Sequence, residues 1–298
     1  MRNVSRGLHF IPTRPWFAGS QITLHMLRNL WILLIVVTAC GNTLSLNAPN
    51  PAKPTPPTIS GWWKPSVNAS WHIQYTGTLD KTRNVTLYNI DLFDTPASVV
   101  QELVDRGVRA VCYLSAGSWE DWRPDKNQFP SEVLGRNYDG WPGERWLDIR
   151  QIDKLAPVLR ARLDLCKQKG FVGVDPDNVN GYQNNTGFPL SAQDQVRFNR
   201  WLAAEAHQRG LAIGLKNTTE LLPQLLGDFD FLVTEECFDQ GWCNQTRPMI
   251  QAGKPVLNIE YTDTRIKSAS QFCGSATSLG IFSILKRRQL DGWVEECK

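Results

Sequence analysis

The chain has 298 residues, 42% of them hydrophobic, with 32 Lys plus Arg against 29 Asp plus Glu and a formal net charge of +3. This near-neutral balance argues against binding a bulk polyanion such as nucleic acid, and a charged fraction of only 20% excludes disorder over most of the length. The longest apolar run, residues 30–39, is far shorter than the roughly 20 residues a bilayer-spanning helix needs, which rules out a multi-spanning transporter.

Residues 1–39 read as a signal peptide, with residues 1–25 an over-long start before Met26. Arg28 supplies positive charge, residues 30–37 the apolar stretch, and Val37-Thr38-Ala39-Cys40-Gly41 a small-residue cleavage site. Its last four residues before Gly41 resemble the lipobox of bacterial lipoproteins, which implies that Cys40 carries lipid at the start of the mature chain. A plain signal peptide and a short buried helix are the alternatives. Residues 40–60 hold Pro49, Pro51, Pro54, Pro56 and Pro57 and show no hydrophobic periodicity. Such a tether stays extended, reaching up to ~60 Å at about 3.1 Å per residue. The chain is therefore expected to be exported, either lipid-anchored in a bacterial cell envelope or secreted, with Cys40 as its sole membrane contact.

Six cysteines remain: Cys112, Cys166, Cys237, Cys243, Cys273 and Cys297. An even number in an exported chain is compatible with three disulfides, and Cys237 with Cys243 is the easiest pair to close. Zinc is disfavoured, because no C-x-x-C occurs and the mature chain has only His72 and His207. No metal and no cofactor are expected. The N-x-S/T sequons, Asn68 and Asn84 among them, are read as chance matches beside a bacterial lipobox.

Residues 61–298 form one domain of the size of a (β/α)8 TIM barrel. Strands are predicted at residues 71–75, 85–90, 110–114, 171–175, 211–215, 229–233, 255–259 and 281–285. Helices are predicted at 96–106, 152–169, 192–209, 220–226 and 246–252. Gly107, Gly170, Gly210 and Gly253 stand where helices hand over to strands. Helix, glycine, strand, repeated, is the sequence form of a parallel sheet with outer helices. The link over residues 76–84 is too short for a helix. A doubly wound open sheet is the alternative, but neither of the glycine-rich nucleotide motifs is present.

In such a barrel the chemistry sits at the C-terminal strand ends. These carry Asp91 and Asp94, Tyr113 and Ser115, Asp175 and Asp177, Lys216 and Asn217, Glu235 and Glu236, and Glu260. Acids dominate and histidine is absent, which disfavours a Ser-His-Asp triad and favours glycoside hydrolysis, where a pair of carboxyl groups suffices. Among twelve Trp, residues 62, 63, 119, 122, 141, 146 and 242 fall in loops or at strand ends, where indoles stack on sugars. In Gly170-Phe171-Val172-Gly173-Val174-Asp175-Pro176-Asp177-Asn178-Val179-Asn180-Gly181-Tyr182, strand alternation turns Gly173, Asp175 and Asp177 inward. A structural turn is the plain alternative. A calcium loop fits poorly, because its fifth and sixth places hold Val179 and Asn180.

That segment, together with Tyr113-Leu114-Ser115-Ala116-Gly117 followed by Trp119-Glu120, Gly214-Leu215-Lys216-Asn217 and Thr234-Glu235-Glu236-Cys237-Phe238, resembles glycoside hydrolase family 114, the endo-α-1,4-polygalactosaminidases. The resemblance spans residues 62–298. It implies a TIM barrel that cuts α-1,4-linked galactosamine-containing polysaccharide internally with an Asp and a Glu, which fall here on Asp177 and Glu235. Strand parity alone leaves Glu235 and Glu236 open, and the resemblance favours Glu235. The chain departs from the family pattern at Asn180, where the family often has Asp, and Asp175 occupies a place that varies. Around the pair, Asp91, Asp94, Tyr113, Ser115, Trp119, Asp175, Asn178, Tyr182, Lys216, Asn217, Glu236 and Glu260 are the expected substrate contacts, with Asp91, Asp94 and Glu260 pairing the ammonium of an unacetylated galactosamine. The expected partner is a polysaccharide, and the expected state is a monomer. A non-catalytic carbohydrate-binding lipoprotein, or a barrel glycosidase on another glycan, is the alternative.

Overall fold

A computed structural model describes residues 61–297; the expected signal peptide, Cys40 and the tether lie outside the described residues. In chain order the elements are β1 (Trp71–Gln74), β2 (Leu87–Asp91), α1 (Ala97–Asp105), β3 (Arg109–Ser115), β4 (Ser118–Glu120), β5 (Leu134–Asn137), β6 (Glu144–Leu147), α2 (Ile152–Gln168), β7 (Gly173–Asp177), α3 (Ala192–Gln208), β8 (Ala212–Lys216), α4 (Leu222–Leu225), β9 (Phe231–Glu235), α5 (Arg247–Gln251), β10 (Val256–Tyr261), α6 (Cys273–Leu279), β11 (Phe282–Lys286) and β12 (Val294–Glu296). Among them no helix is long and apolar enough to cross a membrane.

Every expected strand is present, several of them displaced toward the C-terminus. β7 and β9 each begin and end two residues later than expected, so Asp177 and Glu235 are the last residues of strands. The main sheet runs β1-β2-β3-β7-β8-β9-β10-β11-β12, parallel throughout except for β12 on β11. Side-chain alternation gives it two faces. On one, Ile90, Leu114, Val174 and Ile213 meet Leu103, Leu159, Leu163, Phe198 and Leu202 of the helices. On the other, Trp71 and Ile73 of β1 join Val111, Val233, Leu257, Ile259 and Ile284 of β11 in one apolar cluster. Side chains from both ends of the sheet share that cluster, so the sheet is curled around it. Gly173 belongs to this inner face: a Cβ there would lie 3.4 Å from the Ala212 Cβ and 3.5 Å from Val111 Cγ2.

No ladder joins β1 to β11 among the described residues, so the closed (β/α)8 ring expected from sequence is met in strand number and order but not in its pairing. At that seam the chain after β11 crosses instead, with Tyr75 N–H donating to Leu290 O at 2.9 Å.

The helices follow local chemistry. Ser191 caps α3 by accepting from Asp194 N–H at 3.1 Å, while Asp194 accepts from Ser191 N–H at 3.0 Å. Gly107, Gly170, Gly210 and Gly253 all take positive φ, as glycines closing helices do. α4 and α5 are shorter than expected, each opening on a 3-10 turn with Pro223 or Pro248 in its first helical turn. The small antiparallel sheet β4-β6-β5 and α6 were not foreseen. The strands have three or four residues each with no clean alternation, and α6, Cys-Gly-Ser-Ala-Thr-Ser-Leu, is poor in helix formers. Three disulfides, Cys112–Cys166, Cys237–Cys243 and Cys273–Cys297, use all six cysteines of the described residues and fit an exported chain.

Candidate active site

Three adjacent strands end in the same way. Asn178 (φ 61°), Asn217 (φ 58°) and Glu236 (φ 58°), immediately after Asp177, Lys216 and Glu235, take left-handed backbone conformations. Such φ values are uncommon outside glycine and concentrate at functional sites. Each kink ends its strand just past Asp177, Lys216 or Glu235. The first is held by Gly117, where a Cβ would fall 1.8 Å from Asn178 O, so only glycine lets the β3–β4 turn pack there.

Lys216 lies between the two expected catalytic carboxylates. Its Nζ is 3.2 Å from Asp177 Oδ1 and 3.5 Å from Glu235 Oε2. Asp177 Oδ1 also accepts from Asn178 N–H at 2.9 Å, and its Oδ2 accepts from Tyr113 Oη–H at 3.0 Å. Glu235 Oε2 accepts from Asn217 Nδ2 at 3.1 Å and Oε1 from Tyr261 Oη–H at 2.7 Å. Asn217 Oδ1 in turn accepts from Glu235 N–H at 2.9 Å. Two residues before Asp177, Asp175 is fully buried; Asn89 Nδ2 reaches its Oδ2 at 2.7 Å while Oδ1 has no partner. Lys216 is 4% exposed, but the Asp177 and Glu235 side chains keep 22% and 28%. The cation is sealed and both anions are reachable.

The electrostatics follow from three carboxyls around one ammonium. Burial pushes Lys216 down, but Asp177, Glu235 and Asp175 outweigh it, so the ammonium is held charged well above its usual range. Burial lifts Glu235, yet Lys216 and the bonds from Tyr261 and Asn217 prevail and lower it, favouring the anion. Asp175 is lifted to about 6, mainly by burial, with Lys216 opposing and Asp177 adding to the rise.

Of the expected contacts, the structure brings Tyr113, Asp175, Lys216 and Asn217 to the pair. Asn178 and Ser115 adjoin it: Asn178 Nδ2 donates to Ser115 Oγ at 3.0 Å and Ser118 Oγ at 2.9 Å. The others are engaged elsewhere. Asp91 is buried against Arg123 at 2.8 Å and accepts from Phe93 and Asp94 N–H, and Asp94 itself is exposed. Glu260 lies on the sheet's other face, bonded by Asn258 and by the backbone N–H of Phe238 and Asp239. It sits near Cys237 and Cys243, whose sulfurs are bonded to each other and so are not free to hold a metal with it. Glu236 pairs with Arg288, Tyr182 donates to Glu220, and Trp119 Nε1 donates to Lys126 O at 2.9 Å. Trp62 stacks on His207, far from the carboxylates at the opposite strand ends.

Tyr261, which bonds Glu235, and Asn89, which bonds Asp175, are not among the residues expected from sequence. The signal for Tyr261 was available: continuing the expected strand by two residues puts it on the face of Ile259, two places beyond.

Curled parallel sheet, acidic strand ends and a carboxylate pair exposed at the mouth define a glycosidase-like site. Residues 52–298 match glycoside-hydrolase family GH114, and the chain belongs to that family as a glycoside hydrolase. It is similar to the crystal structure of Aspergillus fumigatus Ega3 in complex with galactosamine, with 37% identity and a TM-score of 0.76 over 80% of this chain and 98% of that one. The glycoside hydrolase domain of PelA from Pseudomonas aeruginosa shares the fold, with 15% identity and a TM-score of 0.61 over 76% and 98% of the two chains. An uncharacterised protein of Deinococcus radiodurans is 27% identical over 87% of this chain and 96% of its own length.

Proposed function

We propose that the protein is an endo-acting hydrolase of α-1,4-linked galactosamine-containing polysaccharide, with Asp177 and Glu235 as its catalytic pair. The observation that carries this reading is two half-open carboxylates at the ends of β7 and β9 sharing the buried Lys216 of β8 between them; similarity to the galactosamine-bound Ega3 supports the substrate class. Asp177, fixed by Tyr113 and Asn178 N–H, is the nucleophile or the carboxylate that stabilises the developing oxocarbenium ion. Glu235 is the general acid and base. Because Lys216 favours its anion, its proton is loaded as pH falls, and cleavage that needs this donor has an acidic optimum.

Lying 3.2 and 3.5 Å from Nζ, the two facing oxygens are less than about 7 Å apart, a bound that holds the about 5–5.5 Å of retaining enzymes and only the lowest edge of the about 6.5–9.5 Å of inverting ones. The curled sheet is read as a (β/α)8 barrel whose β1–β11 seam is filled by residues 287–293. Export with lipid on Cys40 belongs to the same proposal, and the mass of the mature N-terminus tests it.

The functional test is reducing-end release from a deacetylated α-1,4-galactosamine polymer, with product lengths resolved. Short internal fragments are expected from the wild type and none from Asp177→Asn or Glu235→Gln. Release of monosaccharide only, or activity in either variant, would reject the reading.

A further inference from the structure

The acids first expected to meet the substrate ammonium are not available for it: Asp91 is neutralised by Arg123 and Glu260 lies on the far face. Glu144, at the start of β6, is joined to Asp177 through Asn178. One of its oxygens, Oε2, accepts from Ser118 Oγ at 2.8 Å, with Asn178 Nδ2 at 3.4 Å. Among the described residues its Oε1 receives no hydrogen bond and no cation lies within ion-pair distance of the carboxyl. Glu144 is 8% exposed, yet Oε1 is not among the buried side-chain atoms left without a partner, so one oxygen is held and the other reaches solvent.

Its place is tied to the catalytic pair twice. Asn178, which bonds it, is the residue that follows Asp177 and donates its own N–H to Asp177 Oδ1. Tyr138, stacked on Trp146 with ring centroids 4.5 Å apart, has its phenol pushed up first by burial and then by Asp177, Glu235 and Glu144 together. The same ring is near enough to all three carboxyls for each of them to raise it. Burial, with Glu120 and Asp177 adding repulsion against the Ser118 bond, lifts Glu144 to about 7, a carboxyl that gains most from a cation beside it.

We propose that Glu144 is the residue that selects an ammonium-bearing sugar, its free Oε1 accepting an N–H from the substrate amine next to the bond that Asp177 and Glu235 cut. Selectivity follows because acetylation removes the charge and two of the three donors, leaving the carboxylate one neutral N–H in place of an ammonium. The inference rests on the functional reading above for its substrate class, so its test is a binding measurement that does not require hydrolysis.

Galactosamine and N-acetylgalactosamine are titrated into wild type, Glu144→Gln and Glu144→Asp, with melting curves run alongside. Gln keeps an oxygen for Ser118, so Glu144→Gln is expected to fold; Glu144→Asp, which keeps the charge one methylene further back, covers the case in which it does not. The expected result is that wild type prefers galactosamine and that Glu144→Gln loses at least tenfold more affinity for it than for N-acetylgalactosamine, with Glu144→Asp in between. Equal losses for both sugars, unchanged galactosamine affinity in a folded variant, or no binding of either sugar to the wild type would overturn the proposal. If the amine preference holds while the polymer is not cut, the functional reading fails and this assignment stands.

Discussion

The two ends of the sheet each hold a buried aspartate, and they treat it in opposite ways. At the N-terminal end Asp230, just before β9, receives four bonds: Trp62 Nε1 and Lys64 Nζ at 2.8 Å on Oδ1, His207 Nε2 at 2.8 Å and Ile213 N–H at 3.0 Å on Oδ2. Burial opposes this anion, but those donors prevail and hold it down at about 2. At the C-terminal end Asp175, Asp177 and Glu235 share the single Lys216, and one oxygen of Asp175 has no partner. The first aspartate is satisfied, and the second group carries surplus charge. Satisfied buried charge stabilises the fold, whereas surplus charge held by the fold is available for chemistry.

The widest way to separate the two ends is activity. Asp177→Asn and Glu235→Gln are expected to lower kcat by at least ~1,000-fold, because each removes a group the reaction needs. Removing the shared cation is the next largest change. Lys216→Met should lower kcat/KM by roughly 100-fold and raise the Glu235 carboxyl toward neutrality, since Lys216 is the strongest influence keeping it down. If Glu235 is the proton donor, the alkaline limb of the pH–rate profile moves to higher pH. A shift of the acid limb instead would make Glu235 the group that must be ionised.

At the other end the effect is on stability. A carboxyl held at about 2 in the fold against 3.8 outside it contributes roughly 2 kcal/mol. Its folded value is depressed, so the contribution is full above about pH 4 and is lost as pH falls through about 2. Acid unfolding of Asp230→Asn, followed by circular dichroism, should lack that component. The smallest expected change is Tyr261→Phe, which removes one donor from Glu235 Oε1 and should cost about tenfold in kcat with little change in melting.

How much of this was legible in the sequence follows from periodicity. The parallel strands and their order were readable because β-branched runs alternate with helical ones ending in glycine. Asp177, Lys216 and Glu235 were readable because strand ends in such folds carry the chemistry, and the family motifs fixed the choice of Glu235 over Glu236. The two differ in placement: the kink at Glu236 turns it to Arg288, while Glu235 stays on the face of Val233, Ile259 and Tyr261. Asp91 and Glu260 misled because a strand-end acid is not by itself a mouth acid. Arg123 arrives from the β4 turn to neutralise one, and parity sends the other to the helix side. Glu144 was out of reach for the same reason as the small sheet that carries it. Its strands are too short for a pattern, and its contact with Asn178 spans 34 residues.

The most direct measurement is a paired one, melting temperature and reducing-end release on Asp177→Asn and Asp230→Asn side by side. The account predicts that Asp177→Asn is inactive and melts no lower than wild type, because it relieves like charge around Lys216. Asp230→Asn should keep its activity per folded molecule and melt roughly 5–10 °C lower. A large loss of melting temperature in Asp177→Asn, or full stability in Asp230→Asn, would contradict the division of the molecule into a satisfied end and a charged, working one.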